Sequence, residues 1–319
     1  MKKIFSFSAF WAAIMLLFPL SVFEMKGDKV AATSDSLPVL SEKVVREESF
    51  KVLIDGKITE LSADEYICGV VAAEMPALYH EEALKAQAVA AYTFACKRKS
   101  ENKDKDYDIT ADHTVDQSYI SREELTTKWG DKADEYMGKI ESAVNQTKNL
   151  LITYNGKPIT AVYHAVSSGL TEDCKNVWGK EIAYLKPVVS EGDKLCANYI
   201  SKASFTAEEL KSKLKNTVEL SGEPSNYFGK SKSTKSGTVT EIRVCNEPIS
   251  GFTLQKLLDL KSANFKVPFA DDKFTFTVYG YGHGVGMSQN GANYMAKQGC
   301  DFKEILSHYY KGCDIEGIE

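Results

Sequence analysis

The stretch Gly69–Lys99, "GVVAAEMPALYHEEALKAQAVAAYTFACKRK", decides how this chain is built. It begins inside a segment opened by Ser62, in "SADEYICGVVAAEMP", where Ser62 and Glu65 have the spacing of a capping box. Pro76 disfavours helical geometry at Met75, so that helix must stop near Glu74. Glu81 and Glu82 open a second helix, and Lys97, Arg98 and Lys99 close it, the order the helix dipole favours. Leu84, Gln87, Ala88, Ala91 and Ala95 share one face, whose small residues let a neighbour approach closely. Between the two helices stands a lone carboxylate after an apolar run.

Glu74 combines two features that raise a carboxyl pKa, apolar surroundings and a helix C-terminus. A glutamate protonated near neutral pH is a general acid. The plain alternative is a helix-end residue turned to solvent.

Outward from this stretch the chain alternates hairpins and helices without βαβ repeats, which predicts an α+β class. "FKVLIDGKITEL" is a hairpin about Asp55-Gly56, and "LLITYNGKPITAVYHAV" another about Asn155-Gly156. A charged segment leads to a helix near 131–148. Residues from about 201 to 237 are polar and lysine-rich and read as an exposed insertion. "TVTEIRV" is a strand and "FTLQKLLDL" a helix. "KFTFTVYGYGHGVGMSQNGANYMAKQG" is a strand, a glycine-rich turn and a helix starting near Ser288. Its glycine spacing is neither a dinucleotide fingerprint nor a phosphate loop.

The 319 residues are 43% hydrophobic and 26% charged, enough apolar material for a sizeable core. A net charge of -5 with no dense Lys/Arg cluster argues against nucleic acid as a partner. Lys2 and Lys3 precede an apolar run, Ile4 to Phe23, long enough to span a membrane. Val30-Ala31-Ala32 resembles a cleavage site but lies beyond Glu24, Lys26, Asp28 and Lys29. Residues 1–24 therefore read as an uncleaved single-pass anchor in the cell membrane rather than a cleaved signal. Residues 25–46 read as a linker, and 47–319 as a single extracytoplasmic domain. Seven cysteines, none in CxxC spacing, cannot all pair within the chain; Cys174 and Cys196 are the candidate pair.

Among residues with chemistry, His283 sits mid-turn in "GYGHGVG" beside Ser288 and Gln289, a poor place for a core histidine. His164 ends a strand and enters "HAVSSGLTED", where Ser167 and Ser168 offer hydroxyls without a nucleophile-elbow motif. His113 in "ADHTVDQSY" reads as a turn residue.

Together "EMPALYHEEALKAQAVAA", "HAVSSGLTEDCKNVWG", "YLKPVV", "GHGVGMSQNGA" and the closing "FKEILSHYYKG" resemble the stage II sporulation protein D family, related to amidase-enhancer proteins of bacterial walls. The motifs keep the family's order over most of residues 50–319. The resemblance implies a membrane-anchored lytic transglycosylase acting in engulfment during sporulation. Such an enzyme cuts the β-1,4 bond between N-acetylmuramic acid and N-acetylglucosamine to 1,6-anhydro products. The family's catalytic glutamate falls on Glu74. Gln87, Tyr92, His164, Ser167, Tyr184, His283, Ser288 and Gln289 are then the expected glycan-binding residues.

The resemblance implies as partners denuded peptidoglycan strands, a wall amidase and a membrane protein of the engulfment machinery. Where the family usually has arginine, this chain has Tyr92; Ser168 replaces a glycine, and Gln255 and Asp259 replace an arginine and a glycine. The loop that carries a zinc cluster in some relatives here has His113 and no cysteine, so neither metal nor cofactor is expected. The alternative function is a non-catalytic peptidoglycan-binding activator of a wall amidase. A Cys/His peptidase is a third class, disfavoured because Cys68 and Cys96 lie inside helix patterns.

Overall fold

The computed structural model describes residues 47–318, so the expected anchor (1–24) and the linker (25–46) lie outside the described residues. Among the described residues no helix is long and apolar enough to cross a membrane.

The chain opens with the expected hairpin, β1 (Ser49–Ile54) and β2 (Lys57–Ser62), turned by Asp55 at φ 47° and Gly56. α1 (Ala63–Glu74) follows, its N-terminus capped by the Ser62 side chain, which accepts from the Glu65 N–H. It ends where Pro76 requires: Met75 is extended, its N–H still bonded to the Val71 carbonyl. α2 (Glu81–Glu101) is capped by His80, whose Nδ1 accepts from the Glu82 N–H. Alanines bury α2 on nearly every side, not along one stripe, so helices can pack all round it.

β3 (Ile109–Thr110) joins β1 in parallel, and a loop leads to α3 (Arg122–Trp129) and α4 (Ala133–Gln146). The second hairpin turns at Asn155-Gly156 as expected, but only β4 (Leu150–Tyr154) is long. Its partner β5 (Lys157–Pro158) stops at the proline, and the chain leaves to form β6 (Tyr163–His164) elsewhere. α5 (Cys174–Trp178) closes this part.

The polar region from about 201 to 237 is not an exposed insertion. β7 (Ile200–Phe205) joins a sheet, α6 (Ala207–Leu214) buries Leu210 and Leu214, and Tyr227 is fully buried just before β8 (Phe228–Ser233). Alternation along β7 hides Phe205 and Ala203 on one face, so overall polarity concealed a half-buried strand. β9 (Val239–Val244), β10 (Glu247–Ile249) and α7 (Gly251–Leu258) follow, then β11 (Phe265–Lys266), β12 (Phe269–Ala270) and β13 (Lys273–Tyr279). These elements share a core of their own, with Phe274 and Phe276 at its centre.

The last segment returns to the first core. β14 (Met287–Ser288) pairs in parallel with β6, α8 (Gln289–Lys297) and α9 (Phe302–Tyr309) pack on α2, and β15 (Asp314–Gly317) pairs with β4. The result is a mixed α+β fold with two hydrophobic cores. All seven cysteines are free thiols, which corrects the Cys174–Cys196 expectation. Cys174 opens α5 inside the first core, whereas Cys196 ends a 3-10 turn over Glu191–Leu195.

Candidate active site

Glu74 owes its position to the helix stop. As the last residue of α1 it is 5% exposed, and its Oε1 accepts the Ser118 N–H at 2.8 Å. Burial pushes its pKa from 4.5 up to about 7, against hydrogen bonds from Ser118 and Gln289 that favour the charged form. Repulsion from a second carboxylate is not among the causes of that shift.

Glutamine and tyrosine side chains surround it. Gln289, the first residue of α8, donates Nε2–H to Gln87 Oε1 at 3.3 Å. Gln117 donates to the Tyr66 hydroxyl and the Ala91 carbonyl and accepts from the Tyr163 hydroxyl. Tyr163 precedes His164 on β6, and β14 lies alongside with Ser288 opposite His164. That pairing requires a glycine at 286: at φ 73°, a Cβ there would come 2.0 Å from the Val162 carbonyl oxygen.

His164 is fully buried, with Nδ1 3.0 Å from the Val285 carbonyl, to which it donates. Burial holds its pKa below the usual value. His283 lies 5.7 Å from it and 5.1 Å from Trp178, ring centre to ring centre. Burial, reinforced by His164, pushes the His283 pKa down to about 3. Both imidazoles are therefore neutral near pH 7.

Two carboxylates the sequence reading passed over organise the rest. Asp193 is fully buried; its Oδ2 accepts from the Ser167 N–H and hydroxyl, and its Oδ1 from the Ser288 hydroxyl at 2.7 Å. Ser167 and Ser288 are thus committed to Asp193, and Ser288 also caps α8. Glu172 accepts from Asp173 N–H, Asn176, Thr234 and Ser236. Burial opposes its ionisation, but hydrogen bonds from Asn176, Ser236 and Thr234 outweigh it and hold the carboxyl below its ordinary range.

Glu74, Gln87, Gln289 and Tyr163 thus come together, whereas His164 and His283 group with Asp193 and Trp178, and Ser167 and Ser288 serve the Asp193 scaffold. Two expected residues lie elsewhere. Tyr92 packs edge-on to Phe50, and its hydroxyl accepts from the Glu47 N–H and donates to the Glu47 carbonyl. Tyr184 accepts from the Thr160 N–H and tilts against Tyr154. Gln117, Ser118, Asp193 and Glu172 lacked a sequence signal: polar residues in "DHTVDQSY" and "SEGD" look like solvated turns until the fold buries them.

The fold and the site define an α+β protein built around a buried glutamate with a pKa raised to about 7, set among glutamine and tyrosine side chains. The profile of the family described as Stage II sporulation protein matches residues 55–154, the segment holding Glu74, Gln87, Gln117 and Ser118. The chain is 35% identical over 290 residues to Stage II sporulation protein D of Bacillus amyloliquefaciens, covering 90% of this chain and 83% of that one. It is 38% identical over 262 residues to Stage II sporulation protein D of Bacillus subtilis (strain 168), covering 81% and 75%. To the amidase enhancer of Bacillus subtilis (strain 168) it is 28% identical over 299 residues, covering 77% of this chain and 40% of the enhancer. The chain belongs to the stage II sporulation protein D family.

Proposed function

We propose that the chain is a peptidoglycan lytic transglycosylase with Glu74 as its acid and base. The observation that carries this reading is the Glu74 carboxyl, buried, lone and held near pKa 7. Ordinary glycosidases use two carboxylates. Where the sugar's own 6-hydroxyl is the nucleophile, one can serve both steps. Protonated Glu74 gives its proton to the glycosidic oxygen as the C1–O bond breaks. The 6-hydroxyl oxygen bonds to C1, and the Glu74 carboxylate takes that hydroxyl's proton, returning to its starting state. A pKa near 7 suits both halves of this cycle. Gln87 and Gln289 fix the carboxyl side of the site, and the part-exposed, neutral His283 offers an uncharged ring to a sugar.

In this reading the chain is held in the cell membrane by residues 1–24, with its catalytic domain outside. It acts in sporulation on strands stripped by a wall amidase and works with a membrane protein of the same machinery. The likeness to the amidase enhancer supports the second reading, a wall-binding activator that does not cleave. The purified full chain incubated with denuded glycan strands separates the two. Products lacking one water relative to hydrolysis products are expected by mass analysis. Intact strands that nonetheless co-sediment with the protein would favour the activator.

A further inference from the structure

The Ser118 N–H that meets Glu74 belongs to a loop with no regular structure of its own, so something else must fix its place. Asp116, two residues earlier, accepts from Arg98 Nε of α2 at 2.5 Å and from the Thr110 N–H of β3 at 2.9 Å. Tyr119, one residue later, stacks on Tyr66 at 5.7 Å and 19°. Between them the Gln117 side chain reaches three elements. Nε2 donates to the Tyr66 hydroxyl of α1 at 3.2 Å and the Ala91 carbonyl of α2 at 3.3 Å, while Oε1 accepts the Tyr163 hydroxyl of β6 at 3.0 Å. Gln117 is 2% exposed, and Tyr66 is fully buried.

Only an amide suits that position. It donates and accepts at once, joining two phenols without a charge. A carboxylate would place an anion beside Glu74, and an aliphatic side chain would leave two buried hydroxyls short of a partner.

We propose that Gln117 is the positioning residue for Glu74: by tying its loop to α1, α2 and β6, it keeps the Ser118 N–H on the Glu74 carboxyl oxygen and so sets the acidity of the proton donor. The inference rests on the reading of Glu74 as that donor. A backbone N–H stabilises the carboxylate form, so a loop that swings away leaves only Gln289 opposing burial and Glu74 harder to ionise. The groups that face Glu74 are Tyr66 on α1, Tyr163 on β6, Tyr281 on the glycine-rich turn and Gln289 on α8, with Gln87 of α2 bonded to Gln289 and Lys261 over the Tyr281 ring. Burial raises the tyrosines well above neutrality, which leaves Glu74 as the group titrating near pH 7.

The test uses the full chain carrying carboxyl-labelled glutamate, with the Glu74 resonance assigned by its loss in Glu74→Gln. Gln117→Met removes the polar ties at similar volume, and Gln117→Asn keeps the amide but shortens its reach. In both, Glu74 is expected to titrate roughly half a pH unit or more above wild type. The high-pH limb of kcat should move up with it, and kcat should fall about tenfold with KM unchanged. An unmoved Glu74 titration in either folded variant overturns the proposal, whatever happens to kcat. A moved titration in a protein that forms no anhydro product supports the positioning role and removes the transglycosylase reading instead.

Discussion

Glu74 and Glu172 are both almost fully buried, yet their surroundings drive them in opposite directions. Four donors hold Glu172 ionised, whereas at Glu74 burial outweighs the hydrogen bonds from Ser118 and Gln289. The consequence is measurable as stability. Between pH 4.5 and about 7 the folded chain keeps a proton on Glu74 that the unfolded chain has released. Glu74 therefore costs stability as pH rises through that window, up to about 3 kcal/mol above it. Glu74→Gln should lack this loss and exceed wild type in urea unfolding at pH 8, but not at pH 4. The histidines act at the acid side. Their folded pKa values lie below the unfolded value near 6.5, so stability is full above it and falls as pH drops. His283→Phe should flatten that acid slope, read as thermal midpoint between pH 7 and pH 5. Glu74 was legible in the sequence because Pro76 fixes where α1 stops. Gln117 was not, since nothing local distinguishes a buried loop amide from an exposed one.

At the scale of elements, the seam between α8, α9 and the 3-10 turn at Glu191–Leu195 depends on close approach. A Cβ at Gly291 would lie 2.1 Å from the Tyr309 hydroxyl and 2.2 Å from Ser190 Oγ. Gly291→Ala should thus push α9 away from α8 and destabilise by about 1–3 kcal/mol, despite alanine's better helix propensity. Asp193→Ala leaves the donors of Ser167 and Ser288 buried without their acceptor. It should cost roughly 2–4 kcal/mol in urea unfolding and loosen the start of α8, which carries Gln289. Hairpin turns and helix ends could be read from sequence because local chemistry fixes them: Asp55-Gly56 and Asn155-Gly156 turn and Ser288 starts α8 as expected, while Ser62 caps α1 from its own side only, with no return bond from Glu65 among the described residues. β6 and β14 could not, because two residues pair only after more than a hundred others have placed them.

At the scale of the molecule, two cores meet along the segment that carries the site. Glu172 accepts from Thr234 and Ser236, and Ser168 donates to the Ser236 carbonyl. Glu172→Ala should therefore unclip the second core without unfolding it, seen as faster hydrogen exchange across β8 to β10 and little change in α1 and α2. Composition hid this second core, since surface lysines dominate its sequence while Phe274, Phe276, Tyr227 and Leu254 fill its interior. The alanine-rich central helix of the first core was legible in the sequence, as was the place of Glu74 at the end of α1, but not its burial, since a helix-end carboxylate can equally face solvent. The most direct test of that carboxyl is the rate at which the full chain and Glu74→Gln form 1,6-anhydro ends on denuded glycan strands across pH. Wild type should lose activity above about pH 7, where Glu74 gives up its proton, and folded Glu74→Gln should be slower by roughly 10²–10⁴-fold or more at every pH. A folded Glu74→Gln chain that forms anhydro ends at a near wild-type rate would contradict the account.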